Sequence, residues 1–182
     1  MIVGINKRRF SFFILFIITV VAVTAGYKPV MKKFFYPKKY SDIVDKNAQK
    51  YGVDANLIYA VIKSESGFDE TAVSHAGAKG LMQLTDETAD WIMEQTKTTG
   101  DIFSPETNIF LGTWYIARLL RDNDGNIITA LASYNAGGTN VKKWQNEAGT
   151  ENILPEDIPF EETENYVSKT IKYYKTYKKL WN

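Results

Sequence analysis

The chain has 182 residues, 45% of them hydrophobic and 24% charged, which is enough for one domain with a substantial buried core. Its 22 Lys and Arg nearly balance 21 Asp and Glu, a net charge of +1. Three of those bases (Lys7, Arg8, Arg9) precede Gly26 with no acid beside them, so the remainder holds 19 bases against 21 acids, a net of −2 that argues against nucleic acid as the main ligand. The lack of cysteine excludes disulfides, thiol catalysis and a cysteine-linked lipid anchor.

The first expected element is an address. Phe10 to Ala25 is an apolar run broken only by Ser11, Thr19 and Thr24, with Lys7-Arg8-Arg9 before it and Lys28 after it. It is long for the apolar core of a secretory signal, about 7–15 residues, and slightly short for a spanning helix of roughly 20. Residues 1–26 therefore read as a signal anchor or a signal peptide, the anchor being favoured, with Val23-Thr24-Ala25 as the cleavage site of the alternative. The basic flank stays inside, which places the rest of the chain on the extracytoplasmic side of a cell membrane, or secreted if the segment is removed. Residues 27–39, with Pro29, Pro37 and several lysines, read as a juxtamembrane linker.

Residues 40–182 read as helix after helix, with no alternating strand pattern. Ser41 to Tyr51 forms the first helix and Gly52 stops it. Asp54 caps a second, amphipathic helix whose stripe is Leu57, Ile58, Val61 and Ile62. A loop follows from Phe68 to Gly80. Thr85 caps a helix to about Gln95, with Asp86 and Glu87 in the turn where the macrodipole favours acids. Ser104-Pro105-Glu106 opens another helix, with Ile109, Thr113, Ile116, Leu119 and Leu120 inward. Asn123-Asp124-Gly125 is a turn, Ile127 to Ser133 a short buried helix, and Gly137-Gly138 its break. A small helix spans Val141 to Gln145, Glu147 to Pro159 is irregular, and a final helix runs from Thr163 to Trp181. The lysines of that last helix (Lys169, Lys172, Lys175, Lys178, Lys179) read as a solvated face.

Glu65 stands out because it continues the apolar stripe of the second helix, seven residues after Ile58 and four after Val61, just before Ser66 and Gly67 end the helix. A carboxyl held against apolar surface resists ionisation, so its pKa rises and it becomes a general acid near neutral pH. On position alone, a surface Glu at a frayed helix end fits equally well.

Four ordered motifs decide more. Glu65-Ser66 is followed by Gly80-Leu81-Met82-Gln83, then Ser133-Tyr134-Asn135-Ala136-Gly137, then Ile158-Pro159-Phe160-Glu161-Glu162-Thr163 with Tyr166-Val167. The set resembles the catalytic domain of the soluble lytic transglycosylases, from about Tyr40 to the C-terminus. The resemblance implies an all-α, goose-type-lysozyme-like domain that cleaves the β-1,4 bond between N-acetylmuramic acid and N-acetylglucosamine in peptidoglycan strands. It implies no cofactor and no metal. Glu65 carries over as general acid and then base, leaving a 1,6-anhydromuramic end. Ser74, Gln83, Tyr134, Asn135 and Glu162 carry over as substrate-binding residues, with structural alternatives: Gln83 as an amide satisfying the loop backbone, Asn135 as a cap of the turn into Ala136-Gly137, and Glu162 as a first-turn acid of the last helix. A hydrogen bond from Tyr134 to Glu65 is expected. The chain departs from the family at Thr85, where a Met is frequent, and at Ser133, where Ala is frequent. His75, the single histidine, has no partner for a triad or metal site and reads as a loop residue. Two rivals share the residues: a hydrolytic muramidase of the goose-lysozyme kind, with Asp69 or Asp86 as second carboxylate, and a non-catalytic wall-binding scaffold of a secretion apparatus.

Overall fold

The computed structural model describes residues 12–16 and 26–182, and the chain divides into two units, 1–38 and 39–182. In the first, residues 12–16 are helical, and residues 26–30 run as α-helix into a π-helical turn, Met31–Phe35. Much of the expected linker is thus helical. It ends at Tyr36, where the following Pro37 disfavours helical backbone. Among the described residues no helix is long and apolar enough to cross a membrane; most of the apolar run from Phe10 to Ala25 lies outside the described residues.

The second unit is built of α-helices in chain order: α1 (Ser41–Tyr51), α2 (Ala55–Glu65), α3 (Asp86–Thr96), α4 (Pro105–Asp122), α5 (Ile127–Ala136), α6 (Gly138–Ala148) and α7 (Glu161–Trp181), with a 3₁₀ turn at Pro155–Asp157. The starts follow from side chains that satisfy the first free N–H groups. Asp54 accepts from the Asn56 N–H, Thr85 from Thr88 and Asn126 from Thr129, each cap contributing about 1 kcal/mol. Gly52 closes α1 in the left-handed region at φ 68°.

The irregular stretches are more helical than their sequence reads. α5 extends to Ala136 and α6 starts at Gly138, because Gly137 alone takes the turn at φ 84°. α7 starts at Glu161, its first turn holding Glu161, Glu162 and Glu164 against the positive end of the helix dipole.

α2 departs from the amphipathic expectation. Every residue from Asn56 to Ile62 is buried, which makes it the central helix of the unit rather than a surface one. It packs against α1 and, most extensively, against α7. Tyr59 stacks on Tyr177 with ring centroids 5.6 Å apart, and the Tyr174 hydroxyl donates to Asp54 at 2.9 Å. At the other end Thr170 Oγ1 donates to Ser64 Oγ at 2.8 Å, and Lys169 Nζ donates to the Ser64 carbonyl at 3.1 Å. The last turn of α2 is therefore held by α7 on both its side chain and its backbone.

The loop between α2 and α3 contains only isolated antiparallel bridges, Val73 with Lys79 and Lys79 with Leu84. Its shape is imposed by Asn108, fully buried on α4. The Asn108 amide accepts from the Met82 N–H at 2.7 Å and donates to the carbonyls of Lys79 at 3.0 Å and Ile102 at 2.9 Å. Gly80 fits here for two reasons. Its φ is +75°, and a Cβ would collide with the Asn108 side chain. Replacing Asn108 by Ala strips the Met82 N–H and the Ile102 carbonyl of their partner and leaves the Lys79 carbonyl with only the Leu84 N–H. It should lower stability by about 3 kcal/mol, read as a shift in the urea midpoint at unchanged slope.

Candidate active site

Glu65 ends α2 at the floor of a cleft of about 260 Å³. The same cleft is lined by Ser74, Gln83, Leu84, Thr85, Thr88, Tyr115, Tyr134, Asn135 and Glu162. All six residues singled out from sequence thus meet in one place, from α2, the following loop, α5 and α7. The local cause is the end of α2. Ser66 Oγ donates to the Leu81 carbonyl at 2.9 Å and accepts from the Phe68 N–H at 3.2 Å, which ties the end of α2 to the Gly80–Gln83 turn.

Burial is the main influence on the Glu65 carboxyl and pushes its pKa up to about 7 from 4.5. The Tyr166 phenol and the Lys169 ammonium pull the other way, while the like charge of Glu162 adds to the rise. The Tyr166 hydroxyl is buried, and no acceptor meets it at full hydrogen-bond distance and angle, yet it faces the carboxyl closely enough to favour the ionised form. The carboxyl is therefore held near the midpoint of its titration at neutral pH, where a single group both gives and takes a proton.

Each neighbour has a definite arrangement. The Gln83 amide nitrogen donates to the carbonyls of Ala72 (3.1 Å) and Gly80 (2.9 Å), so it does satisfy loop backbone; its oxygen remains as an acceptor at the cleft. The Gln83 backbone sits at φ 47°, in the left-handed region unusual for a residue with a Cβ. Ser74 Oγ accepts from the Ala78 N–H at 3.0 Å, leaving its own proton to donate. Asn135 does not cap the turn after α5. Gly137 N–H bonds the Ser133 carbonyl, Asn140 bonds the Ala136 carbonyl, and among the described residues the Asn135 amide has no hydrogen-bond partner. Glu162 is both a first-turn acid of α7 and a cleft residue.

Tyr134 differs from expectation. Its hydroxyl donates to the Met82 carbonyl at 2.7 Å instead of to Glu65; the N–H of the same residue is held by Asn108, so Met82 is fixed from both sides. The phenol that bears on Glu65 is Tyr166, read from sequence only as part of a motif and as one of several tyrosines on the last helix. Two further residues carry no sequence signal of their role: Asn108, which shapes the Gly80–Gln83 turn, and Tyr115, whose ring packs 5.4 Å from Tyr134 on the cleft wall. Thr85 lines the cleft and caps α3.

The rival second carboxylates lie elsewhere. Asp69 accepts from the N–H and hydroxyl of Thr71, at 2.9 and 2.8 Å, and Asp86 takes both oxygens to Lys79 Nζ at 2.7 Å. Neither lines the cleft. His75 is an exposed loop residue. Among the described residues no cluster of three or more His, Asp or Glu side chains is arranged to hold a metal ion.

An all-α domain with one desolvated carboxyl at the end of its central helix, facing a polar cleft, defines a lysozyme-like fold and site. The chain belongs to the transglycosylase SLT domain family, which matches residues 42–155. It is 32% identical over 146 residues to the soluble lytic murein transglycosylase of Salmonella typhimurium, covering 76% of this chain and 23% of that one. The solved 70 kDa soluble lytic transglycosylase of Escherichia coli superposes with a TM-score of 0.77 at 28% identity, over 88% of this chain and 27% of that one. An inactive mutant of lytic transglycosylase Slt from Pseudomonas aeruginosa superposes with a TM-score of 0.74 at 28% identity, over 81% and 26% of the two chains. This chain thus spans about a quarter of the length of these relatives.

The Glu65 pKa carries a signed consequence for stability. Because the folded value is raised above 4.5, the folded state holds its proton where the unfolded chain has lost it. Folding is thus unpenalised below about 4.5 and progressively penalised as pH rises through about 7. Glu65→Gln, which never ionises, should unfold at higher denaturant than wild type at pH 8. The gain should shrink to nothing by pH 4; a pH-independent difference would contradict the raised pKa.

Proposed function

We propose that this chain is a peptidoglycan lytic transglycosylase and that Glu65 is its one acid–base catalyst. The observation that carries the reading is the carboxyl itself: desolvated, raised to about 7, and in a cleft it shares with the hydrogen-bonding side chains of Ser74, Gln83 and Asn135 and with Glu162. Family membership adds to it.

Protonated Glu65 gives its proton to the glycosidic oxygen as the bond to the muramyl anomeric carbon breaks. The substrate's N-acetyl group supports the cationic centre, with Ser74 and Asn135 as the polar groups at hand to hold it. Glu65, now a carboxylate, takes the proton of the muramyl 6-hydroxyl, whose oxygen bonds the anomeric carbon. One bond breaks and one forms, the proton count is unchanged, and no water is consumed. Tyr166 and Lys169 favour the carboxylate needed midway, while burial and Glu162 favour the acid needed at the start. A hydrolase of this fold would need a second carboxylate to place water. Asp69 and Asp86 stand outside the cleft, committed to Thr71 and Lys79, and so are removed from that role; Glu162 is the second carboxyl the cleft does hold. The basic-then-apolar N-terminal sequence supports an extracytoplasmic domain carried on a membrane anchor.

Mass spectrometry of purified peptidoglycan digested with the chain should show anhydromuropeptides, and none with Glu65→Gln, a loss of at least a hundredfold. Reducing-end products would move the protein to the hydrolases. Undiminished clearing by the Gln variant would remove Glu65 from the acid–base role.

A further inference from the structure

Part of the cleft wall is aromatic and belongs to a larger cluster of packed rings. Tyr134 and Tyr115 stand in its wall, ring centroids 5.4 Å apart. Tyr115 meets Trp91 edge-on at 6.1 Å, and Trp91 meets Trp114 edge-on at 5.5 Å. These four rings form a continuous series of contacts from the cleft wall to α3 and α4, packed on one side against the apolar cluster of Leu84, Ala89, Ile92 and Leu111. The helical register agrees. Thr88 of α3 and Tyr115 of α4 line the cleft, and one turn further along each helix stand Trp91 and Arg118.

Arg118 is held in place. Its guanidinium carbon lies 5.0 Å from the Trp91 ring centroid and 5.8 Å from that of Trp114, and its Nε pairs with Asp122 at 3.4 Å. The terminal nitrogens have no partner among the described residues, and the side chain is 40% exposed. A guanidinium stacked on indoles with one edge tied and the other edge open is pre-organised to take a carboxylate on its fork. Packing alone can place an arginine over tryptophan. What joins this one to the substrate path is Tyr115, which lines the cleft and touches Trp91, and whose phenol is itself influenced by the Arg118 charge.

The charge of the cleft gives Arg118 a reason. No lysine or arginine lines the cleft proper, and two carboxyls, Glu65 and Glu162, face its catalytic end. An acidic peptide stem borne by a muramyl unit is repelled there, whereas Lys169 is tied to the Ser64 carbonyl and Arg118 offers a guanidinium with an open edge. We infer that Trp91, Tyr115 and Arg118 form a distal subsite for a stem-bearing muramyl residue, the sugar lying along the rings and a stem carboxylate taken by the Arg118 guanidinium. The inference rests on the transglycosylase reading of the cleft and adds a substrate preference to it.

The test measures binding apart from turnover. In the Glu65→Gln background, affinities are measured for glycan fragments carrying their peptide stems and for the same fragments stripped of stems by an amidase. Stem-bearing fragments should bind about tenfold more tightly, one bidentate carboxylate pair, and Arg118→Gln should reduce that ratio to about twofold or less. Arg118→Lys, which keeps the charge but not the fork and preserves a cation over Trp91, should retain an intermediate ratio. Loss of affinity for both fragments by the same factor would reduce Arg118 to packing and overturn the subsite, as would an unchanged ratio. Anhydro products from the chain with Glu65 intact, measured in parallel, keep the two readings apart. Anhydro products with an Arg118-independent ratio would sink the subsite alone. No anhydro products with an Arg118-dependent ratio would sink the activity and leave the subsite.

Discussion

Desolvation of one carboxyl is the constraint on which the rest depends. Glu65 closes a helix whose residues Asn56 to Ile62 are all buried, so its side chain emerges at the edge of the core with apolar structure behind it and the cleft in front. Water on one side only is what lifts the pKa to about 7. A helix with one exposed face would have let solvent reach the carboxyl and returned it to the ordinary range. The central position of α2 is therefore an electrostatic requirement as much as a packing one.

A buried helix end has to be held, and α7 does the holding. Within three turns it brings Glu162 to the cleft, Tyr166 to the carboxyl, and Lys169 and Thr170 to the carbonyl and hydroxyl of Ser64. Influences of opposite sign on Glu65 thus come from one rigid element, whose spacing fixes their balance. The opposite wall is set by Asn108. One buried amide sets the turn that carries Met82 and Gln83, and the Met82 carbonyl accepts from the Tyr134 hydroxyl. A side chain outside the cleft thereby helps to fix two groups inside it.

Much of this was legible in the sequence because helix punctuation is local chemistry. Asp54, Thr85 and Gly52 mark their boundaries through bonds to backbone two to four residues away, and those bonds form in any context that lets the helix form. The four ordered motifs likewise brought Glu65, Gln83, Tyr134, Asn135 and Glu162 to notice, the resemblance they carry added Ser74, and all six share one cleft. What stayed hidden involves partners distant along the chain. Asn108 reads as an ordinary helix residue until the Gly80 turn folds against it. Tyr166 cannot be told from Tyr173, Tyr174 and Tyr177 by periodicity, since only the crossing of α7 over the end of α2 decides which of them reaches Glu65.

The sequence by itself determined the class of the domain, the order and most of the ends of its helices, and which carboxyl is proposed as the acid. Those depend on side chains acting on their own neighbourhood and on motifs short enough to read in one dimension. Only the tertiary structure decided that α2 is central rather than amphipathic, that Tyr166 and not Tyr134 bears on the carboxyl, and that the aromatic path from Tyr134 reaches Trp91 and Arg118. Burial, hydrogen-bond direction and ring contact are relations between distant segments, and they come into being when the helices pack.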